Sequence, residues 1–180
     1  MIDKFLSSAY RLCSKLHRLL QEKHIQYMCS NNCPPQVLGK VYIQAKNIKF
    51  GKNVTLYPGV YLWGNNIEIG DNVDIGIGTI IYAKKGVRIG NNTSIAGQCY
   101  IIDSNHGTKA GALIREQEDD IADNGIIIGD DVWIAAQCSI LKGAHIHDHV
   151  VIGAQSLVNK DIPANSVAIG TPAKVIKERI

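Results

Sequence analysis

The segment DSNHG, residues 103–107, holds the side chains of this sequence that are best suited to proton transfer. A neutral imidazole accepts a proton near pH 7 because the unperturbed histidine pKa is about 6.5, so His106 is a candidate general base. Such a base needs an acceptor that orients its other ring nitrogen. Asp103 and Asn105 are the local candidates, and a backbone carbonyl would also serve. Asp103 is equally suited to a turn that closes a corner before a loop.

Three more histidines occupy alternate positions in HIHDH, residues 145–149. Alternate residues of a strand project to one side, which raises the question of a metal site. Three alternating ligands on a single strand rarely converge on one zinc ion, so the prediction is that no metal is bound. Cys29 and Cys33 with His24 are also a poor zinc set.

A six-residue repeat surrounds these candidates. Its clearest inward positions are Ile128, Ile134, Ile140, Ile146, Ile152 and Val158. A period of six fits neither the 3.6-residue period of a helix nor simple strand alternation. It is typical of a solenoid whose coils contain three short strands joined by tight turns, with one aliphatic side chain pointing inward in each hexapeptide. The sequence therefore predicts an all-β solenoid, a parallel β-helix over residues 41–165.

The repeat stops between Ile101 and Ile128, where a polar segment becomes acidic toward its end. A solenoid accommodates such a segment only as a loop extruded from a corner, and functional residues are common on loops of this kind. We predict an extruded loop over residues 103–127. His106 would lie at its root, held by the coils yet at the surface.

Residues 1–40 have a different pattern. Up to about residue 26, apolar residues fall at helical spacing and basic residues occupy much of the rest. The apolar positions are Ile2, Phe5, Leu6, Ala9, Leu12, Cys13, Leu16, Leu19 and Leu20. We predict an amphipathic helix that packs on the solenoid or on a neighbouring subunit, with weak association with an anionic membrane surface as the alternative. The segment NNCPPQVLG then ends the helix and links it to the first coil.

Composition limits the class of protein. The 180 residues, 46% hydrophobic and 19% charged, suit one folded domain with a short appendage. The net charge of +3 comes from scattered lysines and arginines, so nucleic acid is not an expected partner. No apolar run approaches the roughly 20 residues that cross a bilayer, and a signal peptide is not apparent, so we predict a cytoplasmic protein. The odd number of cysteines fits reduced thiols.

The sequence resembles the hexapeptide-repeat acyltransferases, in particular the branch that O-acetylates sugars and polysaccharides. The residues that carry the likeness are the repeat itself, DSNHG before a long loop, IIIGDDVWIAAQCSILKGA after it, and the ending VIGAQSLVNKDIPANSVAIGTPAKVIK. The likeness covers residues 48–177. It implies that the β-helix is left-handed, that three copies form a homotrimer, and that acetyl-CoA lies in the cleft between neighbouring subunits.

The resemblance also implies roles for individual residues. The general base falls on His106. The CoA contacts fall on Ala136, Ala154, Asn159, Lys160, Lys174 and Lys177, with residues 166–180 forming a tail close to CoA. The three lysines would otherwise be solvated surface charges, but as point charges they could meet the CoA phosphates. Trp133 lies between two inward positions and should face outward, bordering the CoA cleft or covering a subunit contact.

The function implied is acetyl-CoA-dependent transfer to a sugar hydroxyl, with no metal required. The acceptor we expect is a unit or precursor of a surface polysaccharide such as a capsule, O-antigen or exopolysaccharide. Galactoside and maltose are doubtful acceptors because Gly76 and Lys84 stand where those enzymes have a polar amide and a carboxylate. The alternatives are acetylation of a xenobiotic such as an antibiotic, and a non-catalytic β-helix scaffold.

Overall fold

The computed structural model describes residues 2–31 and 33–179, without the side chains of residues 2–5, 17 and 18. Met1, Asn32 and Ile180 lie outside the described residues, as do the side chains of Ile2 and Phe5 in the predicted helix. The elements in chain order are α1 (Ile2–Met28), β1 (Gln36–Val37), β2 (Tyr42–Phe50), β3 (Thr55–Leu56), β4 (Tyr61–Ile69), β5 (Asp74–Ile75), β6 (Ile80–Ala83), β7 (Val87–Ile89), β8 (Ser94–Ile95), β9 (Tyr100–Ile102), β10 (Ser104–Asn105), a 3-10 turn (Ile114–Glu116), β11 (Asp120–Ile121), β12 (Ile126–Ile128), β13 (Trp133–Ile134), β14 (Ser139–Ile140), β15 (His145–Ile146), β16 (Val151–Ile152), β17 (Leu157–Val158), β18 (Ser166–Gly170) and β19 (Ala173–Glu178).

The strands stack in parallel to form three faces of a triangular coil. The aromatic face contains the first parts of β2 and β4, followed by β6, β9, β14 and β17. The histidine face contains the second parts of β2 and β4, followed by β7, β12 and β15. The tail face contains β1, β3, β5, β8, β13, β16 and β18. This arrangement confirms the predicted parallel β-helix, which already begins at β1 within the segment assigned to the linker.

The predicted ladder fills the interior of the coil. Ile134, Ile140, Ile146 and Ile152 are all fully buried, at successive hexapeptide steps. Burying an aliphatic side chain of this size contributes about 1.5–3 kcal/mol. The small inward positions between them include Cys99 and Cys138, which are also buried. The six-residue period therefore reflects the packing of the core.

Tight turns separate the faces at three corners. The asparagine corner, between the histidine and tail faces, is named for Asn53, Asn72 and Asn92, and the glutamine corner, between the tail and aromatic faces, is named for Gln98, Gln137 and Gln155. All six have positive φ angles between 54° and 60°, the left-handed conformation that asparagine tolerates better than most side chains. The loop corner, between the aromatic and histidine faces, is where the long loop leaves.

Glycines at the asparagine corner are required by the stacking of coils. A Cβ atom on Gly129 would lie only 2.8 Å from the backbone nitrogen of Asp148 in the next coil. The Asp148 side chain in turn accepts a hydrogen bond from the backbone N–H of Asp130, at 2.8 Å. The same contacts recur at Gly51, Gly70 and Gly90.

The long loop leaves the coil after β9 and returns at β12, as predicted. Its root is an antiparallel pairing of β10 with β11, which brings Asn105 opposite Asp120. Further out, the Gln117 side chain accepts a hydrogen bond from the Lys109 backbone and donates to the carbonyls of Lys109 and Ala112. The loop thus has fixed internal contacts and a defined root.

Among its described side chains, helix α1 makes its closest contacts with the solenoid near its C-terminal end. Ile25 is buried against the first coil, and Gln21 Nε2 donates to the Val41 carbonyl at 2.6 Å. The leucines of the predicted apolar stripe are exposed, Leu12 by 70% and Leu16 by 57%. The helix is therefore confirmed, but the described leucines of its stripe do not pack on the solenoid of their own chain.

The end of the chain extends and then closes the tail face. Strand β18 continues the parallel stack, and β19 turns back antiparallel to it. Arg179 Nη1 lies 2.9 Å from Asp131 Oδ2, which ties the terminus to the asparagine corner. Within the described residues, no helix combines the length and apolar character needed to span a membrane.

Candidate active site

His106 lies at the loop root, directly after β10, with 77% of its side chain exposed. Its Nδ1 is 3.2 Å from Asp119 Oδ1 on the returning limb of the loop, a distance at which a protonated Nδ1 can donate to the carboxylate. Such a donation leaves Nε2 unprotonated, which is the state a general base requires. The imidazole is at the surface, as predicted from its position in the repeat.

Asp119 is held as an anion by a lysine from the preceding coil. The Nζ of Lys84 contacts Asp119 Oδ2. This donation, followed by the charges of Lys84 and His106, holds the pKa of the Asp119 carboxyl below its usual range. The same donation raises the pKa of Lys84. His106, Asp119 and Lys84 therefore form a chain in which the carboxylate lies between two basic groups.

The prediction that Asp103 orients the imidazole is wrong. Asp103 is fully buried, and its carboxylate accepts three hydrogen bonds of 2.8 Å from the backbone N–H groups of residues 84–86. It closes the turn of the preceding coil at the loop corner, which is the alternative role that the sequence left open. The predicted candidate Asn105 is exposed, and within the described residues its side chain makes no hydrogen bond.

Asp119 was missed because only the folded loop brings it to His106. The available signal was the acidic sequence EQEDD, residues 116–120, at the end of the predicted loop. Nothing local distinguishes Asp119 from Asp120, which the pairing of β10 with β11 places opposite Asn105 instead. Asp120 forms its own ion pair with Lys142, at 2.6 Å.

Most of the predicted CoA contacts lie at the glutamine corner and on the tail face. Ala136 and Ala154 stack in successive coils at that corner, where Gln155 N–H donates to the Ala136 carbonyl at 2.9 Å. Trp133 is on the tail face, 54% exposed, as predicted. The pairings of β13, β16, β18 and β19 place it in one outward row with Lys177. Lys174 is exposed on the same strand as Lys177.

The remaining predicted contacts lie elsewhere. Asn159 and Lys160 are exposed immediately after β17, on the loop corner. His106 leaves from the same corner, two coils earlier. Because the tail face is opposite the loop corner in a triangular coil, one chain does not bring His106 to Trp133, Lys174 or Lys177.

Comparisons with known proteins agree with this architecture. The sequence model of the family described as bacterial transferase hexapeptide (six repeats) matches residues 125–160. The chain is 32% identical over 183 residues to the Escherichia coli K12 protein WbbJ, whose name assigns it to O-acetyl transfer in lipopolysaccharide biosynthesis, and the match covers 96% of this chain and 92% of WbbJ. The chain belongs to the hexapeptide-repeat acetyltransferase family.

Two further relatives bear on the fold and on the family. Galactoside O-acetyltransferase of E. coli K12 is 32% identical over 170 residues, which cover 93% of this chain and 82% of that enzyme. The N-acyltransferase AntD of Bacillus cereus, solved with dTDP and 3-hydroxybutyryl-CoA, is 21% identical and superposes with a TM-score of 0.76 over 89% of this chain and 88% of AntD. At that identity the likeness to AntD concerns the fold.

Among the described residues, the solenoid of this chain has no exposed thiol that could serve as a nucleophile. Cys99 and Cys138 are buried, and their sulfurs lie 3.3 Å and 3.1 Å from backbone carbonyls of the next coil. Contact with Cys138, together with burial, raises the pKa of the Cys99 thiol. Both sulfurs are thus held inside the coil, away from solvent.

Proposed function

We propose that this acetyltransferase moves an acetyl group from acetyl-CoA to a sugar hydroxyl of a surface polysaccharide unit or its precursor, with His106 as the general base. The observation that carries the proposal is the exposed imidazole of His106 beside the Asp119 carboxylate, at the root of the extruded loop. The names of the 32%-identical relatives, one tied to lipopolysaccharide and one to galactosides, support O-acetylation of a sugar.

The proposed chemistry needs one base and one oxyanion donor. A sugar hydroxyl is a poor nucleophile at neutral pH, so His106 Nε2 takes its proton as the oxygen bonds to the thioester carbonyl carbon. The carbon–sulfur bond then breaks, and His106 returns the proton to the departing CoA sulfur. The negative charge that develops on the carbonyl oxygen calls for a fixed N–H donor, which the rigid turns of the solenoid can supply.

We further propose that the site is assembled between copies of the chain in a homotrimer. The division of the candidate residues supports this: the base lies on the loop corner, whereas Trp133, Ala136 and Ala154 lie around the glutamine corner and tail face. A groove between the loop corner of one copy and the glutamine corner of its neighbour would unite them. Lys174 and Lys177 would then lie beside the phosphates of CoA as point charges.

The acceptor we infer is a complex surface glycan rather than free galactoside or maltose. Lys84 stands where a carboxylate is expected for those two sugars, and here it contacts Asp119 instead of remaining free for a substrate. Gly76 cannot be replaced by a polar residue without a shift of the backbone, because a Cβ atom there would lie 2.5 Å from Ala96 and Gly97.

The test is thiol release from acetyl-CoA in the presence of free sugars, nucleotide sugars and surface-glycan fragments. Release should depend on a glycan fragment, and His106→Ala should lower turnover about 10²- to 10⁴-fold, the usual effect of losing a general base, with acetyl-CoA affinity little changed. Lys109→Ala, a change of an exposed residue on the same loop, is the matched control. Full turnover by His106→Ala would refute the assignment of the base, and exclusive acetylation of galactosides would refute the acceptor.

A further inference from the structure

The histidine face carries a group of metal-ligating side chains that acetyl transfer does not use. His145 and His147 are two residues apart at β15, so both project outward, and their rings stack with centroids 3.9 Å apart at an angle of 26°. Both side chains are half-buried. Two imidazoles fixed side by side can present nitrogen atoms to one ion.

Asp161 comes to these histidines from the next coil. Ile162 N–H donates to the His145 carbonyl at 2.9 Å, and His147 N–H donates to the Ile162 carbonyl at 3.1 Å. This register places Asp161 directly above His145, about 4.8 Å away as neighbouring strands are. The potential ligand atoms of His145, His147 and Asp161 all lie within 4.8 Å of one another.

The structure changes the ligand set that the sequence suggested. His149 is not part of it: a φ angle of 60° turns this residue into the asparagine corner, where its Nδ1 lies 2.9 Å from Asp131 Oδ2. Three alternating ligands of one strand rarely converge on one ion. Here the third ligand comes from a neighbouring coil, so this geometric restriction does not apply.

His147 also breaks a pattern of the fold. It occupies the position that Gly51, Gly70, Gly90 and Gly129 hold in the preceding coils, where the next coil leaves no room for a Cβ atom. Above His147 the chain continues as Ile162 and Pro163 toward β18, in the last coil of the solenoid. A residue with a side chain can therefore replace the corner glycine only near the end of the stack, and Asp161 lies at that end.

The charges around the group are compatible with a cation. His145 and Asp161 line a cavity with Asp123 and Lys142. The Lys142 ammonium is directed away to the loop, 2.6 Å from Asp120 Oδ1, and so does not neutralise Asp161. Two neutral imidazoles and one carboxylate are a ligand set that Zn²⁺ accepts, with the fourth position left to water.

We propose that His145, His147 and Asp161 form a binding site for a divalent transition-metal ion such as Zn²⁺, which joins the last coil to the coil of β15. Bonds of about 2.0–2.2 Å bring tetrahedral ligand atoms to about 3.4 Å from one another, so the side chains need only small rotations from their present positions. The ion would cross-link two coils that are otherwise held by backbone hydrogen bonds. The proposal is independent of the acceptor and of the catalytic base.

The test uses the full chain, made without a histidine tag, stripped with a chelator and titrated with Zn²⁺ in the absence of acetyl-CoA. We expect one ion per chain by calorimetry and elemental analysis, and a melting temperature that rises on binding because only the folded chain holds the site. Co²⁺ in place of Zn²⁺ should give the visible absorption of a nitrogen and oxygen site with low coordination number.

The variants distinguish this site from general binding to surface histidines. His147→Ala and Asp161→Asn should each weaken Zn²⁺ binding more than about tenfold, whereas His149→Ala, which removes a histidine of the same segment, should leave affinity unchanged. Melting of the metal-free variants checks that each one folds. Absence of stoichiometric binding to the parent chain, or equal losses for His149→Ala and Asp161→Asn, would overturn the proposal.

Discussion

The imidazole of His106 is useful as a base only while its second nitrogen is held, and the loop supplies the holder. Asp119 reaches His106 because β10 and β11 pair at the loop root, and Lys84 fixes the carboxylate from the coil below. The hydrogen bond from Lys84 makes the largest contribution to lowering the pKa of Asp119. In the proposed mechanism Asp119 is therefore a positioning residue, which acts on the substrate only through His106.

Replacing the carboxylate by an amide tests this role. Asp119→Asn should reduce kcat/KM about tenfold or more, while the KM for acetyl-CoA changes little, because the ring loses its orientation. Steady-state kinetics with acetyl-CoA as the varied substrate measure both parameters.

The ion pair between Asp119 and Lys84 should make stability depend on pH in a definite direction. Because the pKa of Asp119 is lowered by folding, the pair is intact above the usual carboxyl range and is lost as the pH falls through the depressed value. Stability differences between wild type and Asp119→Asn should therefore vanish in strong acid. Asp120→Asn, which removes the pair with Lys142, is the control. An unchanged kcat/KM in Asp119→Asn would assign Asp119 to the loop structure alone.

The sequence predicted where the candidate base lies but not its partner, for a physical reason. His106 follows directly from the repeat, since the last regular position before the loop fixes where the chain leaves the coil. The partner depends on how 20 or so loop residues fold back, and such closure is governed by long-range contacts that no local pattern contains. Asp119 was missed because it is distant in sequence, whereas Asp103 was chosen because it is close to His106 in sequence. Its burial among backbone N–H groups is not visible in the sequence.

At the scale of elements, α1 shows which part of a helical pattern can be interpreted. Leu16 lies nine residues before Ile25, which is about two and a half turns at 3.6 residues per turn, so the two side chains point in opposite directions. Ile25 meets the solenoid and Leu16 faces away from it. The apolar spacing predicts the helix, but the same spacing suits a solenoid, a neighbouring copy or a membrane.

We expect neighbouring copies to cover the leucine stripe, since the proposed divided site requires copies to meet. Leu12→Asp with Leu16→Asp should weaken the assembly, so that it dissociates at protein concentrations at which the wild type is still assembled. The reason is that carboxylates replace apolar surface whose burial would stabilise the contact. Sedimentation at several concentrations measures this. Ser7→Asp with Ser14→Asp adds the same charge to exposed positions outside the stripe and should have little effect. Unchanged assembly, together with loss of binding to anionic vesicles, would instead assign the stripe to a membrane.

At the scale of the whole molecule, the triangular coil supports the proposal that catalysis needs more than one chain. Each coil is closed by a buried aliphatic ladder and by backbone hydrogen bonds to its neighbours, so the corners cannot approach one another. The hexapeptide period predicted this rigid shape. The contact between copies has no comparable signal, because outward side chains such as Trp133 are not constrained by the period.

Two variants that are each inactive for a different reason should therefore regain activity when they assemble in one trimer. His106→Ala lacks the base, and Ala154→Trp should block the groove at the glutamine corner while leaving the exposed position free of core strain. In a mixed trimer with one kind of site at each interface, one of the three interfaces should be intact, with a wild-type base facing a wild-type groove. Co-expression with two different tags and sequential purification gives the mixed assembly, and thiol release measures its turnover. Separately purified variants should stay inactive after simple mixing if the subunits do not exchange. Activity of Ala154→Trp alone would contradict the placement of the groove at the glutamine corner, and no recovery in verified mixed trimers would contradict the divided site.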